Sequence, residues 1–434
     1  MESTKKHRIV IVGGGFAAVD TAKYLQRRVP PDWEVLLYSK ENHFVMTPLL
    51  PELMGGAVHP RNAVLPIRQM TKGVSVRTAR VVNLDLQANE VVYQGAHGEL
   101  ERQPYDQLVL AIGLKVDMSK IPGLATFGWP IKIMGDALVL GNHVVQQLEL
   151  AQLESNAKER ARLLSFAIIG GGFTGIEVAG AMCDFLQESV RYYDRIDPQD
   201  IRVTVLEHGP RILRPMPESL SAFAERKMKK HGIHILKEVS IEAVSQDGVH
   251  LVGGEFVQAS TVISAVGNTA HTFVQQANLP LEHGRIKVGA DMRVEGTDNV
   301  WALGDCAAVP NAFDNTICPE LAQFAVQQAR QLGKNLIAAI SGKSTRPFRY
   351  RNKGMFAVIG HHNAVGSPFG IRLSGWSAFV MWYGIYWAMT PTFGRKMQIA
   401  FDWLMSVFLP PDLTEISLER TRRREPQSND ERKE

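Results

Sequence analysis

The chain of 434 residues is 45% hydrophobic and 21% charged, a globular composition long enough for two or three domains and too apolar for disorder. A formal net charge of +4 does not argue for nucleic acid; the basic runs KKHR at 5 to 8 and RTRRR at 420 to 424 lack interleaved aromatics and read as solvated tails, with anionic lipid headgroups the second reading of the C-terminal run. Cys183, Cys306 and Cys318 lie far apart without a CxxC, which excludes a sequence-local redox pair and a zinc-finger spacing and fits a reduced compartment.

In chain order, IVIVGGGFAAVDTAKYL from Ile9 predicts a strand, a glycine turn and a helix. Its apolar run is short, broken by glycines and followed by no small-residue cleavage pattern, so a signal peptide is not expected and the body of the protein should not be exported. Gly13, Gly15 and Ala18 make G-x-G-x-x-A. The small residues allow a tight turn, close backbone approach to a pyrophosphate, and packing of the helix on the strand, with the helix N-terminus facing the anion. WEVLLYSKEN predicts the next strand, ending at Ser39 where an acidic partner for ribose hydroxyls is expected; serine hydrogen-bonds less strongly. VRTARVVNLDLQANEVVYQGAHGEL (76 to 100) alternates apolar and polar residues between glycine turns and predicts a small antiparallel sheet. VVQQLELAQLESNAKERARLL (144 to 164) predicts a charged helical connector.

FAIIGGGFTGIEVAGAM repeats the first design at Gly170, Gly172 and Gly175, about one domain further on. Two such units, each after a strand and before a helix, imply two dinucleotides. The strand IRVTVLE ends at Glu207, whose carboxylate suits both hydroxyls of an adenosine ribose and repels a 2′-phosphate. This second site is therefore expected to prefer NADH to NADPH, with Arg211 nearby to soften the preference. EAVSQDGVHLVGGEFVQASTVISAVG (242 to 267) predicts a second small antiparallel sheet. Pro319 suits a first helical position, and ELAQFAVQQARQLGKNLIAAI from Glu320 predicts a long helix. His361 and His362 are adjacent rather than a helical turn apart, so they predict a loop or strand role and no metal site.

SGKSTRPFRYRNKG (341 to 354) marks the boundary to a C-terminal region. There GWSAFVMWYGIYWAM (375 to 389) carries no charge and three of the seven tryptophans. A bilayer span needs about 20 apolar residues, and Pro368 and Gly370 before this stretch, with Pro391 and Gly394 after it, leave it too short. Trp and Tyr also favour the headgroup boundary. RKMQIAFDWLMSVFLPP then places Met397, Phe401, Leu404 and Phe408 on one helix face, with Trp403 and Met405 flanking, Asp402 opposite, and Arg395 and Lys396 at the start. The pair reads as a segment lying in a membrane interface plane or as an ordinary core or dimer helix pair.

These residues resemble the two-dinucleotide flavoprotein superfamily and, within it, the type II, non-proton-pumping NADH:quinone oxidoreductases, over nearly the whole chain. Beyond the glycine turns the resemblance rests on YDQLVLAIG (105 to 113) and TVISAVG (261 to 267), similar to the family's two crossover segments, and on TDNVWALGDCAA (297 to 308), similar to the segment whose aspartate binds the ribityl chain of FAD. It implies an α/β fold: two Rossmann-like, glutathione-reductase-like domains plus a C-terminal amphipathic helical membrane-anchoring region. The first turn would hold FAD through Gly13, Gly15, Phe16, Ala17 and Ala18, with Ser39, Lys40, Ala111, Gly113, Gly304 and Asp305. Ser39 departs from the family's usual acid. In HFVMTPLLPEL (43 to 53), Thr47 and Pro48 would lie nearest the flavin ring. The second turn would hold NADH through Gly170, Gly172, Phe173, Thr174 and Gly175, with Glu177, Glu207, Val266 and Gly267.

ICPELAQFAVQQAR (317 to 330) is similar to the family's AQ-containing quinone motif: Ala322, Gln323 and Gln327 match, and Glu320 and Leu321 depart from the commoner small residues. Pro48, Gln323 and Gln327 would border the quinone, and Ala322 and Gln323 the FAD. The N-terminus of this helix would stabilise reduced flavin by about 0.3 to 1 kcal/mol. The catalytic candidates are Gln323, which would reach the flavin edge or a quinone carbonyl, and Glu177, a proton relay if buried. From the residues alone, Gln323 and Gln327 read as a solvated helix face, and Glu177 equally as a helix-start carboxylate complementing the dipole.

The implied activity passes two electrons from NADH through FAD to a membrane quinone without pumping protons. Hydride transfer needs a nicotinamide held face to face with flavin and water kept out, and neither a nucleophile nor a metal. The rivals are a sulfide:quinone oxidoreductase-like enzyme, which works through a cysteine pair, and a non-catalytic flavin-binding redox sensor. The expected division is FAD-binding 7–120, inserted NADH-binding 121–284, FAD-binding again 285–345, and a C-terminal membrane-associating region with a polar tail, 346–434. Expected partners are NADH, a membrane quinone, a bilayer surface through residues 371–410 and a second copy in a homodimer, at the cytoplasmic face of the inner membrane as a peripheral, monotopic protein, with no nucleic acid.

Overall fold

The structure is a computed structural model that describes residues 6–415; the RTRRR run and the polar tail lie outside the described residues. Two five-stranded sheets, parallel throughout, share one plan. The first runs Val300–Ala302, Gln107–Leu110, His7–Val12, Trp33–Ser39, Ser75–Thr78. The second runs Gly128–Pro130, Thr261–Ser264, Ser165–Ile169, Arg202–Glu207, Ile233–Lys237. In each, the strand feeding the glycine turn is central and its neighbour ends at Ser39 or Glu207. Ile9, Val10 and Ile11 are fully buried, as expected of a parallel strand covered on both faces.

The chain leaves the first sheet at Leu110 and returns to it at Val300, so this sheet is assembled from both sides of the second. The outgoing crossover, Lys115–Val116, pairs antiparallel with the returning one, Asn268–Thr269. Two small antiparallel sheets hang on this frame, one from Val81–Asp85, Glu90–Gln94 and Leu100–Pro104, the other from Ile241–Ser245, Gly248–Leu251 and Phe256–Gln258. Ser75–Thr78 and Thr261–Ser264 instead join the parallel sheets, because alternation along a strand does not say which neighbour completes its ladder.

Two helices differ from their sequence reading. The connector is two helices, Met134–Leu153 and Ala157–Leu163, separated where the side chain of Asn156 accepts the N–H groups of Lys158 and Glu159 and caps the second. The long helix runs Ala322–Ile340, with Pro319 outside it. Leu321 is its extended N-cap, and Glu320 is held back by Asn268 Nδ2 at 2.9 Å, which ties the turn to the returning crossover. Phe324, Gln328, Leu332 and Leu336 lie on the buried face of this helix, and Gly333 leaves room for the ring of Tyr24 on Phe16–Leu25.

The C-terminal region is an antiparallel sheet, Phe356–Val358, Ala364–Gly366 and Leu373–Gly375, followed by helices Trp376–Met389 and Phe393–Phe408. It docks where Gly180 meets Gly360: a Cβ at Gly180 would stand 2.6 Å from the Gly360 nitrogen. Trp376–Met389 buries Ala378 and Trp382 and exposes Trp376, Val380 and Met381. In Phe393–Phe408 the predicted face is present and turned outward: Met397, Phe401, Leu404 and Phe408 are all exposed, Phe408 at 73%. Ile399 is the buried side chain, and Asp402 points inward to the His59 N–H (3.0 Å) and Asn62 Nδ2 (2.7 Å). No helix among the described residues is long and apolar enough to cross a membrane.

Candidate active site

The two glycine turns repeat each other in atomic detail. Gly13 has φ +135°, and a Cβ there would stand 2.1 Å from the Ala111 carbonyl oxygen; Gly170 has φ +108° and lies under Val266. A Cβ at Gly175 would stand 1.9 Å from the Gly170 carbonyl oxygen, so only glycine lets this helix start against its strand. At the N-caps, Gly15 and Gly172, a Cβ would enter open space, and no side chain caps either helix. The first-turn N–H groups of Phe16–Leu25 and Phe173–Ser189 therefore face an open cradle suited to a phosphate.

The second site carries its acid ready oriented: Glu207 Oε2 accepts the Gly171 N–H at 2.7 Å and Oε1 the Gly209 N–H at 2.6 Å. Arg211 is committed to the carbonyls of Met216 and Arg214, and the cationic side chain alongside Gly209 is that of Arg214. At the first site Ser39 is buried and its Oγ occupies the space over Gly14, while Lys40 is exposed beside Glu41 at 3.6 Å.

Asp305 follows Gly304, a glycine at φ +74° whose N–H donates to Gln328 Oε1 at 2.8 Å. Arg285 fastens the same turn through the carbonyls of Asp305 (3.1 Å), Cys318 (3.0 Å) and Ala307. The Asp305 carboxyl has no hydrogen-bond partner among the described residues, and burial pushes its pKa up against the pull of Lys132. A largely buried, unpartnered acceptor beside a cradle of free N–H groups fits a flavin's hydroxylated chain. The sequence reading missed Gln328 and Arg285; for Gln328 the signal was a polar residue on the apolar repeat Phe324, Gln328, Leu332.

Thr47 and Pro48 form the turn into the short helix Leu50–Met54, with Thr47 exposed. Gln323 is occupied: its Nε2 donates to the Gly354 carbonyl at 2.8 Å, and its Oε1 accepts Tyr350 Oη and the Lys353 N–H, both at 3.2 Å. It fastens the 350–354 strap to the helix and would have to exchange those bonds to reach a ligand. Gln327 stays half-buried one turn on.

Glu177 is not a helix-start cap. Its carboxyl is enclosed and accepts the Val358 N–H of the C-terminal sheet at 3.3 Å. Burial first, and then the nearby Glu52 charge, push its pKa up to about 8. Glu52, on Leu50–Met54, is 9% exposed, and burial pushes it up to about 7, with the Tyr383 hydroxyl opposing. Tyr383 Oη donates to the Glu52 carboxyl, 3.2 Å from one oxygen and 3.3 Å from the other. The indole N–H groups of Trp382 and Trp403 lie within electrostatic reach of Glu177 and Glu52 respectively, yet neither completes a hydrogen bond. Glu52, Tyr383 and the two indoles were not legible as a site, because they come from three elements remote in sequence.

The three cysteines are buried and free; burial pushes the thiol of Cys183 up to about 12 and those of Cys306 and Cys318 to about 11. High thiol pKa values leave little thiolate for sulfur chemistry. His361 and His362 lie in a hairpin turn with φ of 48° and 56°, the loop role expected of them.

Residues 7–329 match the pyridine nucleotide-disulphide oxidoreductase family and residues 352–410 the NDH2 C-terminal domain. The first match covers most of the chain, which therefore belongs to the pyridine nucleotide-disulphide oxidoreductase family. Within it the chain groups with the type II NADH:quinone oxidoreductases. The Mycobacterium tuberculosis type II NADH:quinone oxidoreductase Ndh is 27% identical over 418 residues, 93% of this chain and 88% of the relative. Demethylphylloquinone reductase NdbB of Synechocystis is 29% identical over 408 residues, 92% of this chain and 95% of the relative. The solved NDH2 of Plasmodium falciparum in complex with NADH superposes with a TM-score of 0.87 at 19% identity, covering 94% of this chain and all of that one. Sulfide:quinone oxidoreductase of Aquifex aeolicus reaches 0.69 at 18% identity, covering 94% of this chain and 96% of that one. At these identities the structural likenesses speak for the fold alone.

Proposed function

We propose that this chain passes two electrons from NADH through FAD to a membrane quinone without pumping protons. The observation that carries the reading is the position of Glu177: it stands on the helix that begins at the second glycine turn and faces the C-terminal sheet and helices whose outer side is apolar and exposed. FAD, when bound, supplies a centre that accepts a hydride and hands on electrons. FAD is assigned to the cradle of Gly13, Gly15, Phe16, Ala17 and Ala18, with Ser39, Lys40, Thr47, Pro48, Ala111, Gly113, Gly304, Asp305, Ala322 and Gln323 around it. NADH is assigned to Gly170, Gly172, Phe173, Thr174 and Gly175, with Glu207 on the ribose and Glu177, Val266 and Gly267 toward the nicotinamide. The carboxyl of Glu177 holds a proton near neutral pH, where it can meet a quinone bordered by Pro48, Gln323 and Gln327.

The domain division 7–120, 121–284, 285–345 and 346–434 is supported by the way Val300–Ala302 completes the first sheet. The outward face of Phe393–Phe408 supports a monotopic seat on the membrane through residues 371–410, at the cytoplasmic face; a homodimer contact is the other use of that face. The sulfide reading finds no support in three buried, unpaired thiols.

The test is anaerobic. Mixing the purified yellow protein with NADH should bleach the flavin absorbance, and a soluble quinone should restore it. Bleaching without recovery would overturn the quinone reading, and no bleaching would favour a non-catalytic sensor.

A further inference from the structure

Away from both glycine turns, three side chains from segments remote in sequence converge where the C-terminal sheet docks on Phe173–Ser189. Asp184 lies on that helix, about two turns on from Glu177. His231 ends the helix Glu218–Lys230. His361 follows Gly360 in the hairpin turn between Phe356–Val358 and Ala364–Gly366. One donor atom from each of the three lies within 4.8 Å of the others. His231 Nε2 is 2.5 Å from Asp184 Oδ1, and the rings of His231 and His361 stand 5.0 Å apart between centroids, inclined by 33°.

The protein's own contacts hold the frame beneath them. Asp184 accepts the His361 N–H with both oxygens, at 2.8 and 3.0 Å. A Cβ at Gly360 would stand 3.1 Å from the Gly180 Cα and 3.3 Å from Asp184 Oδ1, so no side chain comes between the turn and the helix. His361 itself sits in the left-handed region at φ 48°. The backbone of the turn is therefore fixed, while the exposed His361 ring keeps its side-chain rotations. His362 turns elsewhere, edge-on to the ring of Phe379 at 5.4 Å. Adjacent histidines do point differently, as the sequence indicates. What the sequence hides is that one of them meets a second histidine and a carboxylate from other elements.

We propose that Asp184, His231 and His361 form a binding site for a zinc-class divalent cation, which clasps the C-terminal sheet to the second dinucleotide-binding domain. Two imidazole nitrogens and a carboxylate oxygen suit Zn2+ and its neighbours Co2+, Ni2+ and Cu2+, whereas Mg2+ and Ca2+ take oxygen ligands. Metal–ligand bonds of about 2.0 to 2.2 Å place the donors of a tetrahedral ion about 3.3 to 3.6 Å apart. The Asp184–His231 pair has to open by about 1 Å and His361 to swing inward by a similar distance, movements within reach of side-chain rotation. The fourth position lies toward water on the side of the exposed His361. None of the three residues belongs to either cradle, so the site stands apart from the quinone reading. Its ligands come from three segments that only the folded chain brings together, so an ion bound there adds to stability by mass action.

The experiment uses untagged, full-length, flavin-loaded protein stripped of metal by chelation and desalting. Zn2+ should bind by calorimetry at one ion per chain and raise the Tm, and excess Mg2+ should do neither. Co2+ in its place should give the visible absorbance of a four-coordinate ion at wavelengths beyond the flavin band. His361→Ala keeps the backbone N–H that Asp184 accepts, so it should fold as the wild type does. It should nevertheless bind Zn2+ roughly tenfold or more weakly and lose both the Co2+ band and the Tm rise. His231→Ala should behave alike, and His362→Ala should bind as the wild type does. The site is overturned if the wild type takes up no Zn2+, or if His361→Ala and His231→Ala both keep wild-type affinity, which would mark an adventitious ion only. Should His231→Ala fail to fold, retained affinity in His361→Ala alone overturns it.

Discussion

The carboxylate of Glu207 accepts the N–H of Gly171 at 2.7 Å, so the acid that ends the second strand is fixed to the glycine turn beside it. Charge-assisted bonds of this kind contribute about 1.5 to 3 kcal/mol. Glu207→Gln should raise the KM for NADH about tenfold and narrow the gap to NADPH, with bleaching at saturating NADH retained. Unchanged KM values for both nucleotides would remove Glu207 from the site.

Gln328 satisfies the buried N–H of Gly304, one residue before Asp305. Gln328→Leu leaves that donor unpaired, at a cost of about 1 to 3 kcal/mol. The expected outcome is a lower Tm and a lower flavin-to-protein absorbance ratio after gel filtration. Asp305→Asn should lower the flavin ratio with little change in the Tm of the flavin-free protein. A full flavin complement in both variants would refute this account of the cradle.

Glu177 and Glu52 keep their protons above the usual carboxylate range, to about 8 and about 7. Below pH 4.5 both are protonated in the folded and the unfolded chain, and they add no pH dependence. From there upward the unfolded chain releases these protons first and the folded chain retains them. Stability therefore falls with rising pH by up to about 1.4 kcal/mol per unit for each group, until each folded-state pKa is passed. Glu177→Gln should flatten this decline between about pH 5 and 8 in chemical unfolding; an unaltered slope would mean the carboxyl is solvated.

Phe401 and Leu404 are exposed on one face of Phe393–Phe408, at 60% and 53%. Replacing both with aspartate should release the protein from sedimenting lipid vesicles and leave NADH bleaching intact. Retained vesicle binding, with a change of oligomeric state, would assign the face to a dimer contact.

Cys183, Cys306 and Cys318 are buried, unpaired and poor sources of thiolate. Changing all three to serine should leave quinone reduction largely intact in protein that folds. Abolished turnover with folding preserved would revive the sulfide reading.

Both glycine turns were legible in the sequence because a positive φ and close backbone approach leave little besides glycine at Gly13 and Gly170, whatever the rest of the chain does. Glu207 was legible for a related reason, since it ends a strand that the local pattern locates, whereas Asp305 was read only through the family resemblance of TDNVWALGDCAA. That Met397, Phe401, Leu404 and Phe408 share one face followed from helical period alone, whereas that the face turns outward is shown only by the packed structure. Tertiary structure decided the rest. Gln323 became a clasp on the 350–354 strap, and Arg214 rather than Arg211 came to lie along the turn. Tyr383 met Glu52 across 331 residues of chain. Local pattern fixes a residue's own backbone and the face it presents, whereas its partner, and the burial that moves a carboxyl's proton into the neutral range, exist only once elements remote in sequence pack together.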